Sequence, residues 1–176
     1  MQLGIRLHDI KKAPLEERLA IANEQGFLCG HLALSKVISE YPVDDGALTP
    51  GYAMYLKKLF AKNGLDIAVL GCYLNLANPN EEQLAKITHR YLAHIRFASL
   101  LGEGVVGTET GAVNEEYKFE EKNHSDEALD IFIRNVKPVL SYAEKMGVIF
   151  AIEPVWKHIV CNPVSYTHLR AHETLS

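Results

Sequence analysis

The sequence predicts an α/β fold in which helices alternate with the strands of a parallel sheet. Four segments of helical period each end at a glycine, and a short run rich in Val, Ile and Leu follows directly. These glycines are Gly26, Gly64, Gly102 and Gly147, and a fifth strand-like run opens the chain. This alternation is typical of βαβ units. Functional residues are therefore expected at the carboxyl ends of the strands.

The first half of the chain contains two strand–helix pairs and a third strand. The first helix, over residues 14–25, has Pro14 in its first turn and an apolar stripe at Leu15, Leu19 and Ala22. The second helix, over residues 50–63, has Thr49 as N-cap. The strands are expected over residues 2–7, 29–34 and 66–74.

The second half repeats the pattern. A third helix is expected from about Pro79, with Asn78 as its cap, to Leu101. A long charged loop over residues 111–124 follows the fourth strand, and loops of this length often cross or cover a site. The fourth helix begins at Ser125 and contains Pro138, which is expected to kink it. The fourth and fifth strands are expected over residues 105–109 and 148–152.

Two observations favour a barrel over a doubly wound sheet. The strands are dense in aliphatic residues, which indicates burial on both faces. The turn after the first strand, HDIKKAP, lacks the glycine-rich phosphate loop of dinucleotide-binding folds. The expected fold class is therefore α/β, a partial (β/α)8 TIM barrel of about four βα units plus a fifth strand, because eight such strands need about 250 residues.

The amino-acid composition limits the classes of binding partner to be expected. The net charge of -4 gives no electrostatic reason to expect nucleic acid or an anionic membrane as a partner. No apolar run approaches the roughly 20 residues of a membrane helix, and no signal peptide is evident. Cys29 and Cys72 fall in predicted strands and are expected to be buried free thiols, which fits a cytoplasmic location. A homo-oligomer is compatible with this composition.

The last residues do not continue the pattern. Residues 164–176 have no helical period and no strand alternation, and residues 164–174 resemble a translated sequencing adapter. We therefore expect two segments: a natural barrel segment over residues 1–163 and an unstructured, non-native tail over residues 164–176. On this interpretation the natural protein continues beyond Pro163, and His168 and His172 are no metal pair.

Two glutamates are the strongest candidates for chemistry. Glu153 follows the fifth strand, and Pro154 then ends that strand, so its carboxylate can bind a divalent cation or move a proton. Glu109 lies within GTETG, where Gly107 and Gly111 allow a tight turn and close approach of a ligand. Alternatively, each is a solvated acid at a strand end.

Five further residues are weaker candidates for substrate binding. His8 ends the first strand, Asn75 ends the third and can hydrogen-bond a sugar hydroxyl, and His158 lies in the loop after the fifth strand. Trp156, in the same loop, can stack on a sugar face. His31 lies inside the second strand, where a structural histidine is the simpler interpretation.

The remaining polar candidates have a simpler interpretation. Lys36 and Lys157 are possible phosphate partners, although solvated lysines are the default. We expect His89, His94 and His124 to lie on the surface, because they fall on or just before helices.

Four segments together carry a family resemblance. They are LGIRLHD, LALSK, GTETG and AIEPVWKHIV. With these segments the sequence resembles the sugar phosphate isomerase/epimerase group of xylose isomerase-like TIM barrels, over residues 1–163. The resemblance implies interconversion of a sugar or sugar phosphate in the cytoplasm.

The resemblance also implies a divalent metal, Mn²⁺ or Mg²⁺, at the carboxyl end of the barrel. Of the usual four ligands only Glu153 carries over, and it would also be one of two catalytic carboxylates. Glu109, His8 and His158 would line the substrate pocket. Because the other ligands would lie beyond Pro163, residues 1–163 alone are expected to be inactive.

Two alternatives remain. A related group of metal-dependent DNA-repair endonucleases has the same barrel, but it needs a basic groove and several histidines at strand ends. The acidic charge and the strand-end residues Asn75 and Glu109 argue against it. The other alternative is a non-catalytic half barrel that binds a small molecule.

Overall fold

A computed structural model describes residues 2–102 and 104–173. Five strands form one sheet in the order β1-β2-β3-β4-β5, and the pairs β1–β2 and β2–β3 are parallel. The elements in chain order are β1 Gly4–Arg6, α1 Leu15–Glu24, β2 Cys29–Leu32, α2 Leu34–Val37, α3 Pro50–Lys62, β3 Asp66–Gly71, α4 Glu81–Leu101, β4 Val105–Glu109, α5 Asp126–Lys145, β5 Ile149–Glu153 and α6 Pro163–Glu173. The predicted α/β class and all five predicted strands are confirmed.

The glycines that punctuate the sequence end helices, as predicted. Gly26, Gly64, Gly102 and Gly147 all have positive φ, between 65° and 85°. This left-handed conformation closes a helix and is accessible to glycine without a steric penalty. The predicted caps Thr49 and Ser125 also accept hydrogen bonds from backbone N–H groups of α3 and α5.

Three strands are shorter than predicted. The first spans only Gly4–Arg6, because Leu7 begins a short 3-10 turn. The second ends at Leu32, because Leu34 and Val37 are both buried and their spacing of three residues continues as the short helix α2. The third ends at Gly71, and three residues later the N–H of Leu74 donates to the Tyr91 hydroxyl at 3.0 Å. A hydrogen bond to the Tyr91 side chain thus takes the place of the expected strand pairing at Leu74.

The expectation that residues 164–176 are unstructured is wrong over the described part of that segment. Helix α6 begins at Pro163, and the Oδ1 atom of Asn162 accepts hydrogen bonds from the N–H groups of Val164 and Ser165. Leu169 is buried. Asn162 is an N-cap followed by proline at the first helical position, a signal that the sequence interpretation overlooked. Residues 174–176 lie outside the described residues.

The chain divides into two compact units. The first comprises Met1–Cys72, Ala93–Val106 and Met146–Ile149. It contains β1, β2 and β3, and its apolar interior includes Leu7, Leu32, Leu56, Phe60 and Ile67. The register of β2 against β3 shifts between Gly30 and His31, so a bulge lies beside His31.

The second unit comprises Tyr73–Leu92, Gly107–Lys145 and Phe150–Ser176. Helix α5 buries one face through Phe132, Val136 and Val139. The buried Tyr91 donates its hydroxyl to the carbonyl of Leu74 at 2.9 Å. This unit contains the carboxyl ends of β4 and β5.

One predicted surface residue is buried. His94 is 3% exposed, whereas His89 and His124 are exposed as expected. His94 precedes Ala98 by four residues and Leu101 by seven, and both of these are buried on α4. The helical period therefore places His94 on the inward face, which an interpretation based on its distance from the strand ends missed.

Candidate active site

Glutamates end two neighbouring strands, β4 at Glu109 and β5 at Glu153. Glu109 lies between two buried threonines that fix the strand end. The Thr108 and Tyr91 hydroxyl oxygens are 2.6 Å apart, and the Thr110 hydroxyl accepts the N–H of Val160 at 2.9 Å. The Glu109 side chain remains 28% exposed. The two threonines of GTETG are thus structural, while the glutamate between them is accessible.

The turn after β4 requires a glycine. Gly111 has a φ of 85°, and a Cβ atom there would lie 2.3 Å from Oδ1 of Asn75. That Oδ1 atom accepts hydrogen bonds from the N–H groups of Ala112 and Ala77, and Nδ2 of Asn75 donates to the carbonyl of Asn114 at 2.8 Å. Asn75 therefore joins the turn after β4 to the segment after β3.

These hydrogen bonds leave the Asn75 side chain little capacity to bind a ligand. The side chain is only 4% exposed, and both lone pairs of Oδ1 already accept hydrogen bonds. The geometry favours a positioning role for Asn75 over the direct hydrogen bond to a sugar that the sequence predicts. Direct substrate contact by Asn75 remains a prediction.

Glu109, His158 and Tyr117 lie together; we call them the acid–histidine cluster. Nδ1 of His158 is 3.6 Å from Oε2 of Glu109, and the Tyr117 hydroxyl donates to the same oxygen at 3.3 Å. The rings of Tyr117 and His158 stack, with centroids 5.0 Å apart and planes 22° apart. Nδ1 of His158 is buried and faces this carboxylate, and it has no hydrogen-bond partner within the described residues.

Tyr117 occupies an unusual backbone conformation. Its φ is 56°, the left-handed region that bulky residues rarely adopt. The loop is held by Asn114, which bonds both the N–H and the carbonyl of Lys118, and by the fully buried Asn123, which donates to the carbonyls of Lys118 and Lys157. Strain maintained by such surroundings is characteristic of functional sites.

His158 is neutral at physiological pH. Burial lowers its pKa below the usual value, and Lys157 lowers it further, while the carboxylates of Glu109 and Glu153 act in the opposite direction. A neutral imidazole offers one N–H donor and one acceptor nitrogen. The ring can therefore hydrogen-bond a hydroxyl group in either sense.

The loop after β5 exposes an aromatic side chain. Trp156 is 62% exposed, its ring centroid lies 5.3 Å from that of Phe119, and Nζ of Lys157 lies 5.3 Å from the ring. The Trp156 carbonyl lies 2.9 Å from Nε2 of His124, which ties this loop to the segment before α5. Glu153 is exposed, as an acid that meets substrate must be.

Two other candidates belong to the first unit. The rings of His8 and His31 meet edge to face, with centroids 5.4 Å apart, and Nδ1 of His8 is buried without a hydrogen-bond partner. Burial, the neighbouring His8 and the cations Arg6 and Lys36 lower the pKa of His31 to about 4. Both rings are therefore neutral at pH 7.

A divalent metal does not fit the described residues alone. Glu153 offers the carboxylate oxygen that Mn²⁺ and Mg²⁺ prefer. Within residues 2–102 and 104–173, however, no three His, Cys, Asp or Glu side chains come together as a metal site. Glu153 can contribute one ligand and no more.

Sequence reasoning missed Tyr117, Asn114 and Asn123. None of them lies at a strand end or in the loop after the fifth strand, where most of the predicted candidates lie. The available signal was the long loop over residues 111–124, whose two asparagines are residues that commonly bond to nearby backbone. That signal indicates an ordered loop, although it does not indicate which residue the loop presents.

A family model described as xylose isomerase-like TIM barrel matches residues 20–175. The chain belongs to this family. The match spans most of the chain, so the predicted resemblance is confirmed. No curated protein matches the sequence significantly.

Solved structures show the same xylose isomerase-like fold. D-psicose 3-epimerase from Clostridium cellulolyticum H10, solved with D-tagatose, is 16% identical with a TM-score of 0.72; the match covers 98% of this chain and 60% of that one. A xylose isomerase-like protein from Mycobacterium smegmatis in complex with magnesium is 17% identical, with a TM-score of 0.69 and coverage of 98% and 61%. 3-Keto-D-glucoside 4-epimerase from E. coli is 13% identical, with a TM-score of 0.73 and coverage of 100% and 65%.

The chain is shorter than these relatives. It spans about 60% of the length of the solved structures that it matches. At identities of this level the likeness establishes the fold alone, a partial TIM barrel. None of the helices in the described part of the chain has the length and apolarity to cross a membrane.

Proposed function

We propose that the whole protein containing this chain is an isomerase or epimerase of a sugar or sugar phosphate. The observation that supports it best is the pair of strand-end acids, Glu109 and Glu153, with the neutral His158 3.6 Å from Glu109. In TIM barrels the carboxyl ends of the strands form the active site. Carboxylates and a neutral imidazole are suited to binding the hydroxyl groups of a neutral polyol.

Glu153 is the proposed general base. Isomerisation or epimerisation of a sugar begins with removal of a proton from the carbon next to the carbonyl group. An exposed carboxylate at the end of β5 can accept that proton and return it to the neighbouring carbon. For epimerisation a second acid gives a proton to the same carbon on the opposite face, while Glu153 keeps the proton that it removed; we expect that acid outside the described residues.

The acid–histidine cluster is the proposed hydroxyl-binding part of the site. Oε2 of Glu109 accepts the Tyr117 hydroxyl, which leaves Oε1 for a substrate hydroxyl. Nδ1 of His158 lies 3.6 Å from Oε2 of Glu109 and has no hydrogen-bond partner within the described residues. Trp156, exposed in the same loop, offers an apolar face for the sugar ring. Substrate contact by His8 stays a separate proposal.

Dependence on Mn²⁺ or Mg²⁺ is part of the proposal for the whole protein. Such an ion, when bound, would polarise the substrate oxygens. Glu153 would supply one ligand, and the others would come from outside the described residues. The magnesium complex among the solved relatives supports this expectation.

The test begins with the source DNA. Sequencing across codon 163 recovers the open reading frame that contains this chain, and its product is then purified. We expect this product to interconvert ketohexoses such as D-tagatose with their epimers or isomers, and chelation to remove the activity. Chromatography of the sugars provides the measurement.

Two results would overturn the proposal. One is a purified, folded product that leaves free and phosphorylated ketoses unchanged with either ion present. The other is cleavage of DNA at abasic sites by that product without any activity on sugars, which would favour the DNA-repair alternative.

A further inference from the structure

A tyrosine-lined pocket lies in the first unit, and none of its lining residues belongs to the acid–histidine cluster. Tyr41, Pro42, Ala47, Tyr52 and Tyr55 line a cavity of about 350 Å³. That volume falls within the roughly 300–1,000 Å³ of small-molecule sites. We call it the tyrosine pocket.

The walls of the tyrosine pocket are held in place by local contacts. Tyr52 and Tyr55 stack with centroids 6.2 Å apart, and Tyr41 meets Tyr55 edge-on at 5.9 Å. Asp44 accepts hydrogen bonds from the N–H groups of Gly46 and Ala47, which fixes the loop that forms the opposite wall. A ligand therefore meets a formed surface and spends little binding energy on ordering it.

The pocket offers a hydrogen-bond donor that the protein leaves unused. The Tyr52 hydroxyl is buried and has no partner within the described residues, whereas the Tyr41 and Tyr55 hydroxyls lie 3.4 Å apart. An unsatisfied buried hydroxyl destabilises the protein. A ligand oxygen that accepts from Tyr52 would remove this cost.

The carboxylate of Glu40 near the tyrosine pocket disfavours anionic ligands. Burial, then Tyr55 and the carboxylate of Glu40, raise the pKa of Tyr52 to about 12, so its hydroxyl stays protonated. The carboxylate that opposes ionisation of Tyr52 would also repel a phosphate or carboxylate group. An anionic ligand is therefore disfavoured.

We propose that the tyrosine pocket binds a neutral carbohydrate ring, as a second sugar site. The C–H groups on one face of such a ring carry partial positive charge and pack on the electron-rich faces of tyrosines. Its hydroxyl oxygens accept from Tyr52. Tyr41 and Tyr55 remain 47% and 41% exposed, so the site is open and its affinity is in the millimolar range, about 4 kcal/mol. The proposal does not depend on the proposed catalytic function.

The test is binding of methyl β-D-glucopyranoside to the full protein with ring-¹³C tyrosine, followed by NMR. We expect saturable shifts of the Tyr41, Tyr52 and Tyr55 resonances at millimolar sugar. Tyr52→Phe should weaken binding about tenfold through loss of one hydrogen bond. Tyr142→Phe removes the same hydroxyl from α5 in the second unit and should leave the affinity unchanged. Glucose 6-phosphate should bind more weakly than the methyl glycoside.

Four outcomes would overturn the inference. One is the absence of shifts with the methyl glycoside, and another is a response to p-cresol alone, which would assign the pocket to aromatic ligands. A third is a set of tyrosine shifts that follow protein concentration, which would show a second copy covering the pocket. Unchanged affinity in both Tyr52→Phe and Tyr55→Ala, with folding verified from the remaining tyrosine resonances, is the fourth.

Discussion

The histidines of the two units lie in opposite electrostatic surroundings. In the first unit His31 lies beside His8, with Arg6 and Lys36 close enough to lower its pKa. In the second unit burial lowers the pKa of His158, while the carboxylates of Glu109 and Glu153 raise it. The same residue type thus meets mainly cations in the first unit and mainly acids in the second.

This difference indicates which unit has a histidine suited to proton transfer. A histidine among cations stays neutral far below pH 7 and serves as a hydrogen-bonding or packing group. A histidine beside carboxylates lies next to groups that can accept or donate a proton. The second unit, which combines two strand-end acids with such a histidine, is therefore the better candidate for catalysis.

The largest predicted effect compares two glycines with the same φ of 85°, Gly111 in the second unit and Gly26 in the first. Gly26→Ala meets nothing within 4 Å and should cost only the backbone penalty, about 1–2 kcal/mol. Gly111→Ala also collides with Oδ1 of Asn75 and should cost more than about 3 kcal/mol, because the Asn75 hydrogen bonds are lost as well. Urea unfolding of both variants measures the difference.

The same two variants report on the site. The ring resonances of His158 should move in Gly111→Ala and stay in place in Gly26→Ala. Equal losses of stability in the two variants would show that the turn after β4 has no special dependence on Asn75.

The second prediction concerns acid stability. In the unfolded chain His31 takes up a proton near pH 6.5, whereas in the folded protein it does so only near pH 4. The unfolded state therefore binds more protons between these values, and His31 reduces the free energy of unfolding as the pH falls through this window, by up to about 3 kcal/mol. In His31→Gln the free energy of unfolding should fall less steeply with falling pH, as measured by urea unfolding at pH 7, 5.5 and 4.5.

The matched control is His89→Gln, since His89 is exposed on α4. It should retain the wild-type dependence on pH. If His31→Gln loses stability toward acid as steeply as His89→Gln, the cationic surroundings assigned to His31 are wrong.

The smallest predicted effect concerns Tyr117. Tyr117→Phe retains the stacking on His158 but removes the hydroxyl that donates to Glu109 at 3.3 Å. We expect KM for the sugar to rise by about tenfold or less, with kcat unchanged, because one hydrogen bond is worth about 1 kcal/mol and the proposed base is Glu153 rather than Tyr117. Steady-state kinetics of the full protein provide the measurement, and Tyr142→Phe is the control. A fall in kcat at constant KM would place Tyr117 in the proton transfer itself.

The sequence alone was sufficient to predict the fold class because local signals agreed with one another. Glycines such as Gly64 end helices, caps such as Thr49 begin them, and aliphatic runs form the strands. The early end of one strand depends on a tertiary contact. Strand β3 ends early near a hydrogen bond between Leu74 and Tyr91, seventeen residues away. Such a pairing leaves no local pattern.

The site was predictable only in part, for a similar reason. Glu109 and Glu153 were identifiable because the end of a strand is a local property. That Tyr117 would reach the Glu109 carboxylate depends on a strained loop held by Asn114 and Asn123. The direct binding role predicted for Asn75 is less favoured because its amide is engaged by backbone groups on both sides. Periodicity cannot show such pairings.

The most direct test of the central claim, that the end of β5 supplies the catalytic base, is hydrogen exchange in deuterated water. The full protein is incubated with D-tagatose, and deuterium entering the carbon next to the carbonyl group is followed by NMR. Exchange should fall by about 10²–10⁴-fold in Glu153→Gln, persist in Glu109→Gln at saturating sugar, and be unaffected in Glu144→Gln on α5. Exchange at the wild-type rate in Glu153→Gln would contradict the claim.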